Sequence, residues 1–161
     1  MRRLGQAATA PAKIYLTGGA TAVLFGWRET TIDVDLKIIP ESDDIYRALP
    51  ALKEELRLNV ELASPDLFIP ALPGWESRSL FISREGKVDW FHYDPYGQAL
   101  AKIERGHERD RGDVGEFIRQ GLVNPPELRK LFAQVTPDLI RYPAIDSKAF
   151  AQKVEQALSQ R

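Results

Sequence analysis

Two aspartates, Asp33 and Asp35, stand one residue apart within a run of β-branched and apolar residues. The run, residues 30–39, predicts a β-strand, in which side chains at positions i and i+2 lie on the same face. One face then carries both carboxylates, about 6–7 Å apart, and the opposite face carries apolar side chains. Like charges this close are unfavourable unless a positive group lies between them, and a divalent metal ion is the simplest such group.

A glycine pair, Gly18-Gly19, precedes the two aspartates and is separated from Asp33 by 13 residues. The pair follows a short apolar run, residues 14–17, and precedes a predicted helix at residues 20–25. Glycine lets the backbone approach a ligand closely, and free N–H groups at the start of a helix face a bound anion. The pair therefore indicates a phosphate-binding turn.

The remaining elements must position these residues, and apolar periodicity and turn residues predict their order. Strands are predicted at residues 14–17, 30–39, 59–63, 79–83 and 87–93. Helices are predicted at residues 2–10, 20–25, 96–104, 109–120, 125–135 and 147–160, and one more begins at a Ser42 cap and is kinked or interrupted by Pro50. This order predicts an α+β fold with a mixed sheet of about five strands flanked by helices. We expect one domain over residues 1–161, with a core at about residues 12–104 and a helical C-terminal part at about residues 105–161.

The composition excludes several classes of function. The chain of 161 residues contains no cysteine, which rules out disulfides, thiolate metal sites and cysteine nucleophiles. Its formal net charge of −1 gives no global field for holding a nucleic-acid backbone, so strong non-specific DNA binding is not expected. No apolar run reaches the length of a membrane span, and Met1-Arg2-Arg3 leads into no apolar signal core. We therefore expect a cytoplasmic protein that does not bind membranes.

The order of these motifs resembles a known signature. Gly18-Gly19, a helix and then hydrophobic-Asp-x-Asp-hydrophobic resemble the DNA polymerase beta-like nucleotidyltransferase superfamily. In that superfamily a third carboxylate lies on a later strand, commonly as hydrophobic-Asp-hydrophobic, and Val88-Asp89-Trp90 fits this pattern. Longer stretches resemble compact bacterial nucleotidyltransferase-like proteins, relatives of abortive-infection nucleotidyltransferase toxins and of minimal nucleotidyltransferases. These stretches read T-G-G-A-T-A-V-L-F-G-W-R, T-I-D-V-D-L-K and K-I-E-R-G-H-E-R-D-R-G-D-V.

The resemblance implies a magnesium-dependent transfer of a nucleotide, with two Mg²⁺ ions when an NTP is bound. It assigns catalysis and metal binding to Asp33, Asp35 and Asp89. Asp89 would complete the site, either by binding the second ion or by accepting the proton of the acceptor hydroxyl.

The resemblance also implies which residues contact the nucleotide. It assigns the phosphates to the backbone of Gly18 and Gly19 and to the ammonium group of Lys102. A further motif of the subfamily matches Asp110 and Asp113. We interpret these two aspartates as helix-capping and ion-pairing groups rather than as metal ligands.

Three functions remain open at this stage. The first is an enzyme that transfers an NMP from an NTP to a hydroxyl of an RNA end, a protein or a small molecule, in a toxin-antitoxin or phage-defence setting. The second is a nucleotide-binding or antitoxin-like module with little or no turnover and a protein partner, which the near-neutral charge and short chain favour. The third is an antibiotic-modifying enzyme like the aminoglycoside and lincosamide nucleotidyltransferases, which would need an acidic pocket for a cationic substrate.

Overall fold

The computed structural model describes residues 1–159, which contain eight α-helices and five β-strands. The strands are β1 (Ala12–Thr17), β2 (Asp33–Ile39), β3 (Asn59–Leu62), β4 (Leu80–Glu85) and β5 (Val88–His92). The helices are α1 (Arg2–Ala7), α2 (Gly18–Phe25), α3 (Asp43–Leu56), α4 (Trp75–Arg78), α5 (Pro95–Arg105), α6 (Glu108–Arg119), α7 (Pro125–Val135) and α8 (Ser147–Ser159). The last residue of the predicted helix 147–160 lies outside the described residues. None of the described helices is long and apolar enough to cross a membrane.

The five strands form one mixed sheet in the order β3-β2-β1-β5-β4. β1 runs antiparallel to β2 and parallel to β5. β2 is parallel to β3, and β4 is antiparallel to β5. The predicted fold class, a five-stranded mixed sheet flanked by helices with a helical C-terminal part, is confirmed.

The described chain forms two compact units, and the first consists of residues 1–64 and 79–93. It contains the sheet, α1, α2 and α3. One face of the sheet packs with apolar residues of α1 and α3, such as Leu4 and Ile45, into a hydrophobic core. The sheet residues in this core are Ala12, Ile14, Leu16, Leu36, Ile38, Val60, Val88 and Trp90.

The second unit consists of residues 65–78 and the chain from Asp94 onward. Its central helix, α5, contacts α6, α7 and α8. Asp94 begins α5, where its carboxylate accepts the backbone N–H of Tyr96 at 3.1 Å and pairs with Arg78 at 2.7 Å. Burial raises the pKa of Asp94, although the hydrogen bonds from Arg78 oppose this.

Candidate active site

The start of α2 lies beside the second aspartate of the Asp-x-Asp motif. Thr17 is paired with Asp35 across β1 and β2, and α2 begins at the next residue, Gly18. Gly18 has a φ of 63°, and a Cβ built on it would lie 2.8 Å from Asp35 Oδ2. The carboxylate of Asp35 therefore occupies the space that a side chain at Gly18 would need. A helix N-terminus favours nearby negative charge, as the sequence analysis expected for a phosphate.

The second glycine is covered by two side chains from the loop between α2 and β2. A Cβ built on Gly19 would lie closer than 3.0 Å to Thr31 Oγ1 and 3.2 Å from Arg28 Nη1. Arg28 thus brings a guanidinium group to the start of α2, where it adds a positive charge next to the backbone N–H groups of the first turn. The sequence analysis does not single out Arg28, because its position depends on the conformation of the loop, which local periodicity does not show.

The first aspartate and a neighbouring strand form a polar row on the same face of the sheet. The register of β2 and β3 places Asp33 opposite Asn59 and Asp35 opposite Glu61. The amide nitrogen Nδ2 of Asn59 donates to Asp33 Oδ1 and to Glu61 Oε1, each at 3.1 Å. Three carboxylates and one amide therefore lie on two adjacent parallel strands, next to the start of α2.

Glu61 is a further candidate that the sequence analysis did not name. Its sequence signal is Val60-Glu61-Leu62, a hydrophobic-acid-hydrophobic pattern on a strand that was predicted correctly at about its observed bounds. The resemblance assigned the third carboxylate to Val88-Asp89-Trp90, where the acid is an aspartate. Only the order of the strands in the sheet shows that Glu61, rather than Asp89, lies beside Asp35.

Asp89 lies at the other end of the strands. It is opposite Lys13 on β1, whereas Asp35 is opposite Thr17, four residues further along the same strand. Four residues of extended chain span about 13 Å. The side chain of Asp89 pairs with Arg84, with Nε–Oδ1 at 2.5 Å and Nη2–Oδ2 at 2.8 Å, and these hydrogen bonds lower the pKa of Asp89. The structure therefore does not bring Asp89 together with the two aspartates of β2.

Lys102 lies in α5 of the second unit, where it is buried and paired with two aspartates of α6. Its Nζ is 2.7 Å from Asp113 Oδ2 and 3.5 Å from Asp110 Oδ1. Arg105 also pairs with Asp110 at 2.5 Å. Burial alone would raise the pKa of Asp110, but the hydrogen bond from Arg105 and the charge of Lys102 outweigh burial and lower it. The interpretation of Asp110 and Asp113 as ion-pairing groups is confirmed, but neither residue caps α6, whose N-cap is His107 without a side-chain cap hydrogen bond. The phosphate contact of Lys102 stays a prediction.

The donor atoms at the polar row fit a hard cation. Asp33, Asp35 and Glu61 offer only carboxylate oxygens, which Mg²⁺ prefers. Within residues 1–159, no three acidic or histidine side chains are grouped closely enough to hold a metal ion in their present rotamers. The Asn59 amide holds two of the carboxylates in those rotamers, so metal binding would require them to turn.

The mixed sheet, the glycine-led helix after its first strand and the Asp-x-Asp second strand are the features in which the chain resembles nucleotidyltransferases. The chain belongs to the family described as nucleotidyltransferases of unknown function (DUF6036), whose model matches residues 2–155. No curated protein and no solved structure matches the chain significantly.

Proposed function

We propose that this protein is a magnesium-dependent nucleotidyltransferase that moves an NMP from an NTP to a hydroxyl acceptor. The observation that carries the proposal is the row of Asp33, Asp35 and Glu61 beside the glycine-led start of α2. Family membership supports the reaction class. The acceptor hydroxyl belongs to an RNA, a protein or a small molecule.

In this proposal different residues bind the phosphates, hold Mg²⁺ and accept the proton. The N–H groups of Gly18 and Gly19 and the guanidinium of Arg28 bind the phosphates. Asp33, Asp35 and Glu61 would hold Mg²⁺, which supplies positive charge against the phosphate oxygens. The acceptor oxygen forms a bond to the α-phosphorus, the bond to the β-phosphate oxygen breaks, and pyrophosphate leaves. Glu61 either completes the metal site or takes the proton of the acceptor hydroxyl, the two alternative roles that the resemblance assigned to Asp89.

The proposal is tested by transfer of label. The purified protein is incubated with Mg²⁺, a cell extract and each of the four α-labelled NTPs in turn. We expect label on an acceptor with the natural protein. In Asp35→Asn we expect roughly 100-fold less transferred label, which corresponds to a loss of about 2.7 kcal/mol of charge stabilisation. Absence of any Asp35-dependent label with all four nucleotides would show that the protein is not such an enzyme.

A matched pair of variants tests the third carboxylate. Glu61→Gln and Asp89→Asn each remove one negative charge with little change in shape. We expect Glu61→Gln to abolish transfer and Asp89→Asn to retain it, because only Glu61 lies opposite Asp35. The reverse result would return the role to Asp89, as the sequence pattern suggested.

A nucleotide-binding module with little turnover is the second candidate. It is favoured by the spacing of the acidic side chains, which are not grouped for a metal ion in their present rotamers. Calorimetry with a non-hydrolysable NTP separates the two functions. Tight binding without transfer in the labelled assay, together with a stable protein partner in a pull-down, would favour the module.

A further inference from the structure

The second unit contains a cavity that is separate from the residues proposed to bind the NTP. Its volume is about 580 Å³, and it is a partly open pocket lined mainly by α5, α6 and α8. This volume suits a small organic molecule. The apolar part of the lining comes from Ile103 on α5, Val114 and Ile118 on α6 and Ala157 on α8.

The rest of the lining is rich in cations. Among the described residues that line the cavity, none is acidic and four are basic, namely Lys102, Arg111, Arg119 and Lys153. Basic groups arranged around an apolar floor are complementary to a molecule with an apolar body and a negative group.

The carboxylates that pair with these cations lie outside the lining. Arg119 pairs with Glu116 at 2.6 Å, and Lys153 lies 3.8 Å from a carboxylate oxygen of Glu104. Arg111 Nη2 lies 3.5 Å from the carbonyl oxygen of Gly106. Because Arg111 and Arg119 are mostly exposed, a ligand can reach them without breaking a buried ion pair.

We propose that this cavity binds a small organic anion with a flat apolar body. The apolar body packs on Ile103, Val114 and Ile118, and the anionic group lies near Arg111 and Arg119. The proposal does not depend on nucleotidyl transfer, because the residues that line the cavity all belong to the second unit and the candidate active site belongs to the first.

Two glycines of α6 supply a matched test. Gly115 lines the cavity and Gly112 does not, and a Cβ added to either would meet nothing within 4 Å. Leucine at either position therefore enters open space and raises helix propensity to the same extent. Gly115→Leu fills part of the cavity, while Gly112→Leu leaves it unchanged.

The probe is 8-anilinonaphthalene-1-sulfonate, an aromatic anion whose fluorescence rises when it binds apolar surface. We expect Gly115→Leu to weaken its binding at least tenfold and Gly112→Leu to leave it unchanged, with both variants folded by circular dichroism and thermal melting. Equal binding by Gly115→Leu and Gly112→Leu would overturn the proposal.

A second arm tests the charge and does not depend on the leucine variants. The double variant R111Q/R119Q is compared with the natural protein, using the sulfonate and the neutral N-phenyl-1-naphthylamine. We expect weaker binding of the sulfonate, by about tenfold, and unchanged binding of the neutral amine. An equal loss for both probes, or no loss for the sulfonate, would contradict an anion site.

A competition experiment identifies the anionic group. Displacement of the bound sulfonate probe by 5′-AMP would support a phosphate, and displacement by 1-naphthoate would support a carboxylate. Displacement by neither compound at millimolar concentration would overturn the assignment to small organic anions.

Discussion

At the scale of single residues, the close approach of Asp35 to Gly18 can be tested with one substitution. Gly18→Ala places a methyl group 2.8 Å from Asp35 Oδ2 and forces alanine to a φ of 63°. The positive φ costs about 1 kcal/mol of stability, and the contact pushes the carboxylate away from the start of α2. We expect nucleotide binding or transfer to fall by roughly 100-fold, the size of effect that a displacement of about 1 Å produces at a catalytic site.

Gly26→Ala is the control for that variant. Gly26 ends the same helix with a φ of 88°, and a Cβ there would meet nothing within 4 Å. We expect a similar loss of stability in urea unfolding and unchanged nucleotide binding. Equal losses of binding in the two variants would mean that backbone strain, and not the contact with Asp35, is responsible.

His92 predicts a dependence of stability on pH. It is buried on β5, stacked on Phe25 with ring centroids 4.3 Å apart, and its Nδ1 lies 3.2 Å from Thr21 Oγ1. Burial lowers the pKa of His92 from 6.5 to about 4. Between these values the unfolded chain binds a proton that the folded chain does not, so stability falls as the pH falls from 6.5 towards 4. The lowered pKa corresponds to about 3 kcal/mol over that window.

Urea unfolding at several pH values checks this prediction. We expect the free energy of unfolding of His92→Gln to depend less on pH between 6.5 and 4 than that of the natural protein. His107→Gln is the control, because His107 is exposed. If the pH dependence of His92→Gln equalled that of the natural protein, the buried imidazole would not be its source.

At the scale of elements, local sequence signals located most helices and strands. Ser42 caps α3, Pro125 starts α7, and the hairpin of β4 and β5 lies where the turn residues indicated. These signals work because capping, proline geometry and tight turns depend on neighbouring residues alone.

The largest departures from the predicted elements have a tertiary cause. α3 continues through Pro50 without interruption, although Pro50 removes one helical hydrogen bond. Burial of Ile45 and Leu49 against the sheet outweighs this loss. β2 starts at Asp33 rather than at residue 30, because β3 pairs with β2 only from Asp33 onward. Ile32, just before this point, is 67% exposed.

The pairing of α5 with α6 predicts a large effect of one lysine. Lys102→Met would leave the buried carboxylates of Asp110 and Asp113 without the ammonium group between them. Removing one partner from a buried ion pair costs about 3–5 kcal/mol. We expect a loss of this size in urea unfolding, and partial recovery when Asp113→Asn is added.

Lys130→Met is the matched control. Lys130 pairs with Glu127 on α7 at 3.4 Å, and the side chains of this pair are 65% and 42% exposed. An exposed pair contributes about 0–1 kcal/mol. Similar losses for the two variants would show that the two aspartates of α6 do not depend on Lys102.

At the scale of the whole molecule, binding of a nucleotide with Mg²⁺ should stabilise the folded chain. A ligand present at 100 times its Kd adds about 2.7 kcal/mol to the free energy of unfolding. For a chain of this size, that corresponds to a rise in Tm of about 5–10 °C. We expect this rise by calorimetry with Mg²⁺ and a non-hydrolysable NTP together, and a smaller one with either alone.

Asp35→Asn provides the control for the thermal experiment. It removes one proposed metal ligand but keeps the hydrogen-bonding shape of the side chain. We expect its Tm to respond little to the same mixture. A rise equal to that of the natural protein would mean that the nucleotide binds elsewhere.

The sequence by itself determined the Asp-x-Asp strand, the glycine pair at the start of α2 and the class of fold. These features are local, since the alternation of side chains along a strand and the free N–H groups of a helix start need only neighbouring residues. The tertiary structure decided which acid lies beside Asp35, how Arg28 reaches Gly19 and where α5, α6 and α8 leave a cavity. Strand order, loop path and helix packing join residues far apart in the chain. No local pattern therefore encodes which of two similar strands lies next to β2, the one with Val60-Glu61-Leu62 or the one with Val88-Asp89-Trp90.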